Sequence, residues 1–261
     1  FALVGCGQVN YLIRLDPDGS GTFEETVLMR SMFVQQMKAN MDKIDNKTRN
    51  WLEFLAFDEL KSAERAEGMG EGVSYMSGEE VTNGEFEGRK VVYWFADINL
   101  LKPKIFSFKS EAESDGGVTF SFTRGDLSKL IISQPGGGRE EMSGSVPDTE
   151  QEARQDEEKE PEQEFVQSEE VMEQQRVMFG GMKMAMCVEV QGLIEETNAT
   201  YREESRITLM EVDMDKLLKD PEQHRKFNPK GSEENRDVRE FLKSIPGSKV
   251  DMNKELMVKF R

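Results

Sequence analysis

At 261 residues the chain is long enough for one large domain or two small ones with a real core. Its net charge of −17 argues against nucleic acid, which needs a clustered basic face, and against electrostatic docking on anionic lipid. No run approaches the roughly 20 apolar residues of a membrane-crossing helix.

Leu3-Val4-Gly5-Cys6 opens the chain with the pattern of a lipobox, at which bacterial signal peptides are cut and the cysteine acylated. Residues 1–5 then read as the remnant of a signal peptide, with Cys6 as the mature N-terminus and lipid attachment site. This address predicts a bacterial cell-envelope protein outside the cytoplasm, with the membrane itself as a partner through the lipid. Gly7 stands where some bacteria carry an inner-membrane-retaining Asp. The only other cysteine, Cys187, then has no partner for a disulfide.

From Cys6 to Pro135 the pattern predicts the first part of an α+β body. Val9, Tyr11, Ile13 and Leu15 alternate on one strand face, and 22–29 forms a second strand. Between them Asp16-Pro17-Asp18-Gly19-Ser20-Gly21 is dense in turn formers, so a hairpin is expected. Phe33, Met37, Met41 and Ile44 lie at helical spacing over 32–44, and Leu55, Leu60, Ala63 and Ala66 predict a second helix ending at Gly68 or Gly70. Strand character returns at Val73 and Tyr75, then over 91–95, 105–108 and 118–122.

Residues 136–163 are nearly devoid of apolar side chains. Fourteen acidic residues lie between Glu140 and Glu173 against Arg154 and Lys159, a net of −12. Such composition cannot offset ordering entropy, so 136–163 reads as a disordered acidic linker or insertion. The second part of the body spans 164–261. A helical period covers 165–179. Met182, Met184, Met186, Val188 and Val190 then alternate with Lys183, Ala185, Cys187 and Glu189, predicting a half-buried strand. Strands are expected at 207–210 and 256–260, and helices near 213–218 and 233–245 around a polar 220–230 stretch. Strands that cluster in hairpins favour α+β with a mainly antiparallel sheet and helices on one face.

In this order, the Asp16–Thr22 hairpin, Gly84-Glu85-Phe86-Glu87-Gly88, Phe122-Thr123-Arg124-Gly125-Asp126-Leu127, and the run from Val188 to Ala199 resemble the LppM-type domain of bacterial lipoproteins. The resemblance spans roughly 6–215 and departs in the acidic insertion and the sequence after Leu218. It implies an extracytoplasmic α+β module that binds lipid or an envelope protein, and carries no catalytic residue across.

Other constellations have simpler readings. Asp16, Asp18 and Ser20 with Gly21 begin like a calcium loop, but the twelfth place is Val27 instead of a bidentate Glu, so a hairpin turn accounts for them. Met178, Met182, Met184 and Met186 near Cys187 are soft Cu(I) ligands, yet Met182, Met184 and Met186 share a core face and Cys187 points away. A multi-histidine zinc site is excluded because His224 is the single histidine, and its charged neighbours predict a solvated helix face. The Gly68–Gly72 run reads as a helix-to-strand turn, and Trp51 and Trp94 as core. No metal, cofactor or catalytic set is expected. Function therefore reads as a lipid- or protein-binding envelope module, the alternative being a carboxylate-dependent hydrolase drawn from pairs such as Glu79-Glu80. The aromatic and Met inventory of the N-terminal half predicts an apolar groove between residues 30–70 and the strands of 73–122.

Overall fold

The computed structural model describes residues 7–40, 52–103, 105, 117–134, 180–226 and 238–261, with the single positions 169, 172, 173 and 176. The lipobox with Cys6, Trp51, residues 106–108, Met178 and the acidic stretch 136–163 lie outside the described residues.

The architecture is α+β and mostly sheet, as the strand-rich sequence predicts, but the strands form two sheets instead of one. The larger takes in β1 (Gly7–Leu15), β2 (Gly21–Arg30), β3 (Val73–Asn83), β4 (Phe86–Phe95), β7 (Lys183–Val190), β9 (Arg202–Glu203), β10 (Arg206–Asp213) and β11 (Lys249–Val250). Its order is β11-β10-β7-β1-β2-β4-β3, with β9 paired to β10. The smaller sheet runs β5 (Thr119–Thr123), β6 (Ser128–Ser133), β12 (Glu255–Phe260), β8 (Ile194–Thr197). All pairings are antiparallel except β1 with β7, where Gln8 to Leu15 run alongside Lys183 to Val190. Both sheets thus contain strands from both sides of the acidic stretch.

Alternation decides the faces. Tyr11, Ile13 and Leu15, Phe23, Val91, Tyr93 and Phe95, and Met186, Val188 and Val190 point from the larger sheet onto Leu130, Ile132, Leu256, Val258 and Phe260 of the smaller one. The predicted methionine face is therefore core. On the outer face Cys187 is buried beside Thr208, and burial pushes its thiol pKa up. Further along the inner face, α1 (Ser31–Ala39) and the helical turn at 52–55 close Val27 and Met29 with Val34, Met37, Leu52 and Leu55. The helices α3 (Met214–Lys219) and α5 (Val238–Ser244) close Met182, Met184 and Val212 with Leu217 and Leu242. The helices share one face with the smaller sheet, while the outer face carries cross-strand ion pairs such as Glu24 with Arg14 and Lys90.

The motif residues set the ends of this sandwich. In the β1–β2 turn Asp18 accepts from the Ser20 amide and hydroxyl, which holds its carboxyl below the usual range. Gly19 there has φ +96° and lies so close to Phe122 that a Cβ would come within 2.9 Å of its ring. Gly84 and Glu85 turn β3 into β4, and residues 124–127 turn β5 into β6. Asn198 lends its side chain to the smaller sheet, donating to Glu255 O and accepting from the Met257 amide where β8 stops.

Three expectations change. Trp94 lies on the outer face and is 42% exposed, because its neighbours Tyr93 and Phe95 take the inward positions. The second helix, α2 (Glu59–Glu67), turns Ser62 and Ala66 inward and leaves Leu60 78% exposed, since Asp58 caps it and sets its phase. His224 does lie on a helix, α4 (Pro221–Lys226), but is fully buried there instead of lying on a solvated face. Burial, and then repulsion from Arg176, hold its pKa below the ordinary 6.5. The unfolded chain therefore binds the proton more readily. The contribution is complete above about pH 6.5 and is lost as pH falls through the depressed native pKa. Urea midpoints measured at about pH 7.5 and about pH 5.5 are expected to differ less for His224→Gln than for the parent chain. Equal differences would rule this out.

Candidate functional site

Every second residue of β2 faces the core, so Phe23, Glu25, Val27 and Met29 all point inward. Glu25 therefore sits at the seam between the sheet–sheet core and the α1 cluster, with 0% exposure. A carboxylate there requires compensation. Arg65 of α2 brings Nη2 to 2.7 Å from Oε2, and Arg89 of β4 brings Nη2 to 2.5 Å from Oε1. The Phe54 ring faces both cations, its centroid 4.2 Å from Cζ of Arg89 and 5.0 Å from Cζ of Arg65.

Local sequence places each part. Asp58 accepts from the Lys61 amide and starts α2, which sets Asp58, Lys61, Ser62 and Arg65 along one helix face. Phe57 lies flat on Gly78 of β3, where a Cβ would come within 2.3 Å of its ring, so the 52–58 segment is drawn close to the sheet edge. Above the triad opens a cleft of about 420 Å³ between α2 and the 52–56 segment, with Arg89 in its lining. Glu53 pairs with Lys61 at 2.7 Å on its rim, and Glu64 joins Asp58 there. Arg89 Nε and the Tyr93 hydroxyl are buried without a partner in hydrogen-bond geometry. Burial, and then the Glu25 charge, raise the Tyr93 pKa.

Of the groove expected between residues 30–70 and the strands, the described inward side chains pack against the sheet and the cleft that opens there is charged, while Met41, Ile44, Phe106 and Phe108 lie outside the described residues. The Asp16–Gly21 segment is a hydrogen-bonded hairpin turn, as read from its residue types. Among the described residues no group of three or more His, Cys, Asp or Glu could hold a metal ion, and no helix is long and apolar enough to cross a membrane. Glu79 and Glu80 lie on exposed positions of edge strand β3. The triad itself was missed in the sequence, although alternation through Phe23 and Val27 put a charge at an inward position. Its partners lie 40 and 64 residues away.

No protein-family profile matches the chain, and no curated protein sequence matches it significantly. Among solved structures it is similar to the NMR structure of the folded domain of Mycobacterium tuberculosis LppM, at 10% identity and a TM-score of 0.36, over 100% of this chain and 92% of that one.

Proposed function

We propose that this protein is a binding module of the bacterial cell envelope, tethered outside the cytoplasm through lipid on Cys6, with the cleft over α2 as its ligand site. The observation that carries the binding half is how the cleft's charges are tied down. Glu25 is locked between two arginines, Glu53 is paired with Lys61, and Asp58 caps α2. A hydrolase needs a carboxylate poised to give or take a proton, and three of the four carboxylates in or beneath the cleft are engaged in holding the fold, Glu64 on the rim being the exception. What the cleft offers is a pair of arginines immobilised by Glu25 and Phe54, and donors ordered in advance lower the cost of binding. The Leu3-Val4-Gly5-Cys6 pattern supports the tether.

Two measurements test the reading. The full chain is expected in the membrane fraction with acyl mass on Cys6, and Cys6→Ala in the soluble fraction. A variant that still sediments, with no lipid mass on the parent protein, would remove the tether. Native mass spectrometry of protein extracted from its own membrane is expected to show bound mass that Arg65→Ala loses. Mass retained by that variant would move the ligand site elsewhere.

A further inference from the structure

We propose that the open edge of β3 is a second binding site, which takes an extended peptide segment with two successive Lys or Arg residues as an added strand. The edges of the two sheets are not alike. Beyond β10 the strands β9 and β11 are only two residues each. Asn99 closes the outer edge of β5, its side chain accepting from the Phe122 amide and donating to the Phe122 carbonyl. Arg202 donates to the Ile194 carbonyl on the outer edge of β8. The 11 residues of β3 pair with β4 alone.

Backbone parity identifies the free groups. Ala96 donates to Gly72 O, so Ser74 and, past the bulge at Met76, Ser77, Glu79 and Val81 turn their backbone groups to β4. Gly78, Glu80 and Thr82 turn theirs outward and find no hydrogen-bond partner among the described residues. Phe57 lies where a Gly78 Cβ would point, over the face of the sheet and not along its edge. Such an edge gives an incoming strand main-chain hydrogen bonds, while side chains select which strand it is.

Charge makes that selection. Glu79 and Glu80 are exposed and form no ion pair among the described residues. Their neighbours on β4 are already engaged, Lys90 with Glu24 and Arg89 with Glu25. From Glu59 to Asn83 the chain holds six glutamates against Lys61 and Arg65, which are paired with Glu53 and Glu25. Consecutive residues of a strand point to opposite faces, so an added strand matches both glutamates only with successive cations. A second copy in the fully overlapped antiparallel register would set Glu80 opposite Glu80, and like charges directly opposite are destabilising.

The test is an NMR titration of the full chain with the acetylated and amidated hexapeptide Thr-Val-Lys-Lys-Val-Thr, followed at backbone amides. Saturable shifts and slowed hydrogen exchange are expected at Gly78, Glu80 and Thr82. The Ala-Ala peptide should bind about fivefold more weakly and the Glu-Glu peptide not at all. Glu79→Lys combined with Glu80→Lys, at exposed positions the fold does not need, should reverse that preference. N-methylation of the Lys-Lys peptide at alternate residues should abolish binding in one phase and spare it in the other, because only one of its edges meets β3. Equal binding in both phases leaves charge attraction without an added strand and overturns the proposal. So does the absence of saturable shifts, their confinement to other residues, or equal binding of the Lys-Lys and Glu-Glu peptides. Dimerisation of the chain alone, with the same three amides protected, would give the edge to a second copy instead.

Discussion

Glu25→Ala is expected to destabilise the fold by about 3–5 kcal/mol, the usual effect of stranding buried charge by removing one partner. Arg89 is 3% exposed at the floor of the cleft, and without Glu25 it faces Arg65 across a site shielded from water. Glu25→Gln keeps the volume and one acceptor but not the charge, so it should fall nearly as far. Arg65→Ala is milder, about 1–3 kcal/mol, because a neutral buried pair survives and the lost partner is partly solvated. Replacing all three together by Leu, Met and Met at 25, 65 and 89 should recover most of the loss, since an apolar cluster needs no compensation. Urea midpoints at unchanged slope measure each step. A Glu25→Ala loss below about 1 kcal/mol would mean that water or another anion already compensates the two arginines.

Cutting the chain between the sheets' two contributors should not separate it. Segments 7–134 and 180–261, expressed as separate polypeptides, are expected to fold only together and to co-purify one to one. The first segment alone leaves the edge of β1 unpaired from Gln8 to Leu15 and removes β12 from beside β6. The second leaves β7 without β1, and Met186, Val188 and Val190 exposed. Together they bury an apolar interface drawn from both sheets, worth about 25 cal/mol for each Å² removed from water. Separate elution of two segments that each show cooperative unfolding would instead demonstrate two independent domains. Far-ultraviolet circular dichroism of the segments, alone and mixed, reads the outcome.

Local pattern carried much of this protein. Alternation in β1 and β7 named the inward residues, because side chains of a strand must point alternately to its two faces and only one face is shielded. The turn at Asp16–Gly21 was legible from its residue types, as was the end of α2 before Gly70. The α+β class followed from the order of these pieces.

Tertiary structure decided the rest, because the deciding contacts are distant in sequence. Nothing local to β1 or β7 announces a parallel pairing, and nothing within β12 says that it enters between β6 and β8. Trp94 and His224 exchanged their expected environments for that reason. Trp94 follows the parity imposed by Tyr93 and Phe95, while His224 is covered by tertiary packing that its charged neighbours conceal. Glu25 belongs to both accounts. Its inward position is dictated by Phe23 and Val27 beside it, since a strand's period is fixed by backbone geometry. Its meaning comes only from Arg65 and Arg89, because a buried charge is tolerated solely where the fold delivers its counter-charge.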